Sequence, residues 1–123
     1  MRILIIDPAA FSRTVLRRIV EEAGYAVAGE AGNSEQALVQ YRSTAPDAVT
    51  IDLTAHTLNG VALIRRIRSL DPEARILAIS GMNRNVSGQE ALQAGAYDCV
   101  MKPLEESRLL TALAHARLLL QEP

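Results

Sequence analysis

Aromatic side chains are nearly missing from this sequence: Phe11, Tyr25, Tyr41 and Tyr97 are all it has, and tryptophan is absent. Proteins that hold single-stranded nucleic acid stack bases on such rings, so that role is disfavoured. Cysteine is as scarce. Cys99 stands alone, forms no internal disulfide and suits a reducing compartment. Neither sign of charge is in surplus: 13 Lys and Arg oppose 14 Asp and Glu. A basic nucleic-acid footprint is therefore not expected. No apolar run has the length of a secretion signal or a membrane span, and a cytoplasmic location is expected.

What remains is a balanced composition, 49% hydrophobic and 22% charged, over 123 residues. That length predicts a single domain, residues 1–123, with roughly two-thirds of the unfolded surface buried in one core. Short apolar runs alternate with longer helical patterns. "RILIID" (Arg2–Asp7), "DAVTIDL" (Asp47–Leu53) and "ARILAIS" (Ala74–Ser80) are continuous and rich in Ile, Leu and Val. Such runs suit parallel strands buried on both faces. "YAVAGEA" (Tyr25–Ala31) reads as a weaker edge strand and "YDCVM" (Tyr97–Met101) as a fifth strand.

Between them, Val15, Ile19 and Ala23 repeat at helical spacing before Gly24, a stop signal. Asn33 followed by Gln36 resembles a capping box. Leu63, Ile67 and Leu70 mark a third helix opened near Asn59-Gly60. "QEALQAG" closes a fourth on Gly95, and a fifth runs from about Glu105 to Leu120. The pattern predicts an α/β, doubly wound (βα)5 fold with a five-stranded parallel sheet.

In a parallel sheet all C-terminal strand ends share one rim. The polar residues at those ends are Asp7, Asp52 and Ser80, with Lys102 just past the fifth strand. Ligands of open α/β sheets bind where the strand order reverses. In the flavodoxin-like order 2-1-3-4-5 that point sets Asp7 beside Asp52. Two carboxylates, a lysine and a hydroxyl make a site for a divalent cation and a phosphoryl group. Taken singly each has a plainer reading: Asp7 as a helix cap or solvated turn, Ser80 as a turn, Lys102 as a loop lysine. Asp52 inside "VTIDL" resists that, because a buried acid without a partner is costly.

These motifs resemble, across the full 123 residues, the receiver domain of bacterial two-component response regulators. The resemblance rests on "ILIID", "DAVTIDL" followed by Asn59-Gly60, "ILAISG" and "GAYDCVMKP". It implies Asp52 as phosphoacceptor, taking a phosphoryl group from a histidine kinase or phosphotransfer protein, with no enzymatic turnover beyond assisting its own phosphorylation and dephosphorylation. It implies Mg²⁺ held by Asp7, Asp52 and the Thr54 carbonyl, and Lys102 offsetting phosphoryl charge. It also implies Ser80 moving onto a phosphoryl oxygen, and a cis peptide between Lys102 and Pro103.

The sequence departs from the family at three places. Strand 1 usually ends in two acids, and here the second is Pro8, which predicts weakened Mg²⁺ binding. The switch position three residues before the lysine, usually Tyr or Phe, is Cys99. Tyr97, two residues earlier on the same strand face, is either a displaced reporter or a structural tyrosine. His56 stands in the loop after Asp52 where proline is common, and reads as solvated, as does His115.

Arg13, Arg17 and Arg18, and Arg65, Arg66 and Arg68, read as solvated helix faces. Leu118–Leu120 place apolar groups around more than one face of the last helix. That predicts a helix 4–strand 5–helix 5 surface for a homodimer or an output partner. Three readings stand: a phosphorylatable receiver, a phosphorylation-independent pseudo-receiver favoured by Pro8 and Cys99, and a small phosphohydrolase of haloacid dehalogenase type. The last wants an acid two residues past the nucleophile, where this chain has Thr54.

Overall fold

Four consecutive residues, Ile3 to Ile6, have no solvent exposure. Only a strand covered on both faces does that, since successive side chains point to opposite sides. Leu4 and Ile6 enter one core with Val49, Ile51 and Ala78. Ile3 and Ile5 enter the other with Ala48, Leu77 and Ile79. The computed structural model describes residues 1–55, 57–81 and 88–120. Its elements are β1 (Arg2–Ile6), α1 (Ala10–Glu22), β2 (Ala26–Ala31), α2 (Ser34–Thr44), β3 (Ala48–Asp52), α3 (Gly60–Leu70), β4 (Ile76–Ser80), α4 (Gly88–Ala94), β5 (Asp98–Met101) and α5 (Glu106–Leu120). The strands are all parallel, in order β2-β1-β3-β4-β5. Helices α2, α3 and α4 cover one face, α1 and α5 the other.

The expected doubly wound α/β sheet is therefore present, with small differences at its edges. The first strand stops at Ile6, one residue short of Asp7, and the fifth starts at Asp98, not Tyr97. Between β1 and β2 the register shifts at Ile3/Leu4, a bulge in the edge pairing. Among the described residues no helix is long and apolar enough to cross a membrane.

Local signals set the helix ends. Asn33 caps α2 by accepting from the Gln36 N–H at 2.8 Å. Gln36 returns the favour one residue further back, accepting from the Gly32 N–H at 3.0 Å. Asn59 caps α3 through the Ala62 N–H at 3.2 Å. Gly24 (φ 92°) and Gly95 (φ 125°) follow α1 and α4 in a left-handed conformation that suits glycine. The C-cap of α2 adopts the same region, yet the residue is Ala45, with φ 46° and ψ 62°. There a Cβ crowds the following carbonyl. Ala45→Gly is expected to stabilise the protein by about 0.5–1 kcal/mol, read as a higher midpoint in urea at unchanged slope.

Candidate functional site

The rim at the C-terminal ends of the strands gathers the polar residues read from the sequence. Asp52 is the last residue of β3 and Ser80 the last of β4. Asp7 follows β1, which pairs directly with β3. Lys102 follows β5, and its N–H extends the ladder by donating to the Ser80 carbonyl at 2.8 Å. Asp7, Asp52 and Ser80 are each 2% exposed. The Lys102–Pro103 peptide is cis, as the resemblance implies.

Asp52 is held from two sides. Lys102 Nζ lies 2.7 Å from its Oδ2. Its Oδ1 accepts from the Thr54 N–H at 2.7 Å and from the Thr54 hydroxyl. Lys102 Nζ also donates to Thr54 Oγ1 at 3.2 Å, closing a three-residue network. Burial pushes the Asp52 carboxyl up, but the hydrogen bonds from Lys102 and Thr54 outweigh it and hold it below its ordinary value. Asp52 is thus an anion over the whole neutral range.

Asp7 is held differently. Its N–H donates to the Ala31 carbonyl at 2.9 Å, and its Oδ1 accepts from the Ala9 N–H at 2.8 Å. The Arg13 guanidinium donates to its carbonyl at 2.6 Å while pairing with Glu30. Its Oδ2, fully buried, has no hydrogen-bond partner among the described residues. Burial pushes Asp7 up to about 6, against the Ala9 N–H and with help from the nearby charge of Asp52.

A buried carboxylate oxygen without a donor, next to a second carboxylate, fits a cation. Among the described residues no three His, Cys, Asp or Glu side chains cluster. The described pocket presents two buried carboxylates, Asp7 and Asp52, and one or two carboxylates are the usual protein share of a Mg²⁺ site, which keeps several waters. A cavity of about 200 Å³ opens beside Asp7, Asp52 and Lys102, walled by Phe11, Val15 and Leu104.

Two readings change on contact with the structure. Tyr97 does not share a face with Cys99. It lies before β5 and packs in the α1–α5 core, its hydroxyl donating to the Ala112 carbonyl at 2.8 Å and its ring edge-on to His115. Cys99 packs in the opposite core, so Tyr97 is structural and no displaced reporter. Arg13 and Arg17 are not free solvated charges: both pair with Glu30, at 3.2 and 2.8 Å. The part Arg13 plays at Asp7, and the Thr54 side chain at Asp52, were missed; both depend on tertiary proximity. His115 is exposed, and His56 lies outside the described residues.

A family model of the response regulator receiver domain matches residues 3–114. The chain is 44% identical over 112 residues to the chemotaxis protein CheY of Thermotoga maritima, spanning 91% of this chain and 93% of that one. It is 38% identical over 112 residues to CheY of Bacillus subtilis, with the same coverage of 91% and 93%. Among solved structures it is similar to the receiver domain of NtrX from Brucella abortus, at TM-score 0.87 and 27% identity, covering 98% and 99% of the two chains. It is also similar to the CheX–CheY–BeF3–Mg²⁺ complex from Borrelia burgdorferi, at TM-score 0.87 and 25% identity, covering 95% and 89%.

The raised Asp7 has a consequence for stability. Between its ordinary 3.8 and about 6 the folded protein keeps a proton that the unfolded chain has released. Metal-free stability is therefore expected to fall as pH rises through that window, by on the order of 3 kcal/mol. Denaturant melts from pH 4 to 7 check this: Asp7→Asn should flatten the decline. An unaltered slope in the variant would refute the assignment.

Proposed function

The chain belongs to the family of response regulator receiver domains, and from that membership we propose that Asp52 accepts a phosphoryl group from a histidine kinase or phosphotransfer protein. The observation that carries this is the buried Asp52 carboxylate, kept ionised by Lys102 at 2.7 Å. A carboxylate oxygen attacks the phosphorus of a phosphohistidine. The phosphorus–nitrogen bond breaks, and its electron pair returns to the imidazole, which takes up a proton. Lys102 neutralises charge on the phosphoryl group, and the Ser80 hydroxyl donates to one of its oxygens once it turns inward. When bound, Mg²⁺ offsets the charge on the transferring oxygens. Asp7, Asp52 and the Thr54 carbonyl would hold it. The binding of BeF3 and Mg²⁺ by the Borrelia relative supports the same chemistry here.

Pro8 removes an acid that family members place in this pocket. Losing even an indirect metal partner costs roughly 10- to 100-fold in affinity, so Mg²⁺ is bound more weakly here than with two acids. For output we propose the α4–β5–α5 face, where Leu92, Met101 and Leu118 are exposed, facing an output partner or a second copy of the chain.

Intact-mass spectrometry after incubation with a small phosphodonor tests the central claim. The expected result is one added phosphoryl group that requires Mg²⁺ and vanishes in Asp52→Asn. Absence of any gain at high Mg²⁺, restored by Pro8→Asp, would make the chain a phosphorylation-independent binding module. Pro8→Asp is separately expected to tighten Mg²⁺ binding by about 10- to 100-fold while lowering metal-free stability, because a further carboxylate crowds Asp7 and Asp52. Calorimetric titration and metal-free melts read the two effects independently.

A further inference from the structure

Position 99 is where the Ser80 hydroxyl and helix α4 meet. Cys99 Sγ lies 3.4 Å from Ser80 Oγ, the shorter of the two contacts open to its single S–H, the other being the Val100 carbonyl at 3.8 Å. Ser80 is buried, and among the described residues no hydrogen bond joins its hydroxyl to Asp52 or Lys102. Strand geometry explains the orientation. Ala78 and Cys99 are partners across β4 and β5, and both pack in the α2–α4 core. Ser80, two residues beyond Ala78, leaves β4 on that same side, whereas Ile79 points to the α1–α5 core.

On its other flank Cys99 bears on the first residue of α4. A Cβ added at Gly88 would stand 3.0 Å from Cys99 Sγ and 3.3 Å from Cys99 Cβ. The Gly88 backbone thus lies close to this side chain, with no room for even a methyl group between them. Tyr97 offers no alternative route, since it is tied to α5 in the opposite core.

We propose that Cys99 is a positioning residue for Ser80: its thiol holds the hydroxyl away from Asp52 in the unphosphorylated protein, and its contact with Gly88 makes the first turn of α4 register the release. The inference rests on the reading of Asp52 as phosphoacceptor and Ser80 as a donor to the phosphoryl group. A thiol is a weak donor, so the hold is slight. A hydrogen bond to a phosphoryl oxygen is charge-assisted and about twice as strong as a neutral one. Two arrangements of Ser80 are then close in free energy, and phosphorylation chooses between them. No rotating aromatic side chain is needed.

Beryllofluoride with Mg²⁺, a stable mimic of the phosphoryl group, is the probe. It is titrated onto wild type, Cys99→Ala and Cys99→Ser, with amide resonances followed by NMR. Cys99→Ala is expected to bind the probe about two- to threefold more tightly, because one weak competing hydrogen bond is gone. Its Gly88 amide shift on binding is expected to shrink to less than about half that of wild type. Cys99→Ser supplies a stronger donor and is expected to bind the probe no more tightly than wild type. Wild-type affinity with a full Gly88 shift in Cys99→Ala overturns the proposal, as does a Cys99→Ser protein that behaves like Cys99→Ala. If wild type neither binds the probe nor gains phosphoryl mass, the reading of Asp52 fails, and this inference with it.

Discussion

The ion pair between Lys102 and Asp52 is the contact on which the rim depends. An ionised carboxylate this deeply buried is strongly destabilising when left without a partner, by about 3–5 kcal/mol in comparable sites. The lysine reaches it from across β4 because the backbone ladder runs one residue past β5, where the Lys102 N–H meets the Ser80 carbonyl. The same extension occurs after β3, where the Leu53 N–H donates to the Ile79 carbonyl at 2.8 Å. Both ends of the ion pair are therefore fixed by main-chain hydrogen bonds before their side chains meet. With the Asp52 charge offset by Lys102, a second carboxylate at Asp7 can stand nearby, and its burial makes it hold its proton more tightly.

Pro8 is intelligible in that setting. Its neighbours do the work its own backbone cannot: Ala9 supplies the N–H that Asp7 Oδ1 needs, and Arg13 grips the Asp7 carbonyl. The proline, lacking an N–H, leaves no donor unsatisfied. The bend is secured by hydrogen bonds to Asp7 from Ala9 and Arg13. What Pro8 lacks is chemical, a side chain that could place a further carboxylate beside Asp7.

The sheet could be read from the sequence because continuous Ile, Leu and Val runs permit little except strands covered on both faces. The site was legible for a topological reason: parallel strands collect their C-terminal residues, so Asp7, Asp52, Ser80 and Lys102 come together once the strand order is given. Asn33 and Asn59 were legible as caps, since the capping contact is local. Contacts between distant segments were not. Arg13 on α1 meets Glu30 on β2, and nothing in a run of arginines distinguishes that partner from solvent. Tyr97 was misplaced by one residue of strand length. Asp98 opens β5, and with period-two alternation starting there, nothing fixes the residue before it to the same face.

The register shift between β1 and β2 has a bearing on the open edges of the sheet. An unpaired sheet edge is a template on which a second chain can add a strand. Here β2 forms one edge, bulged against β1 and carrying Gly29 and Glu30 at its centre. The other edge, β5, is only four residues long and runs straight into Pro103. Neither edge offers a long flat ladder, so strand addition and the aggregation it seeds are suppressed at both ends of the sheet.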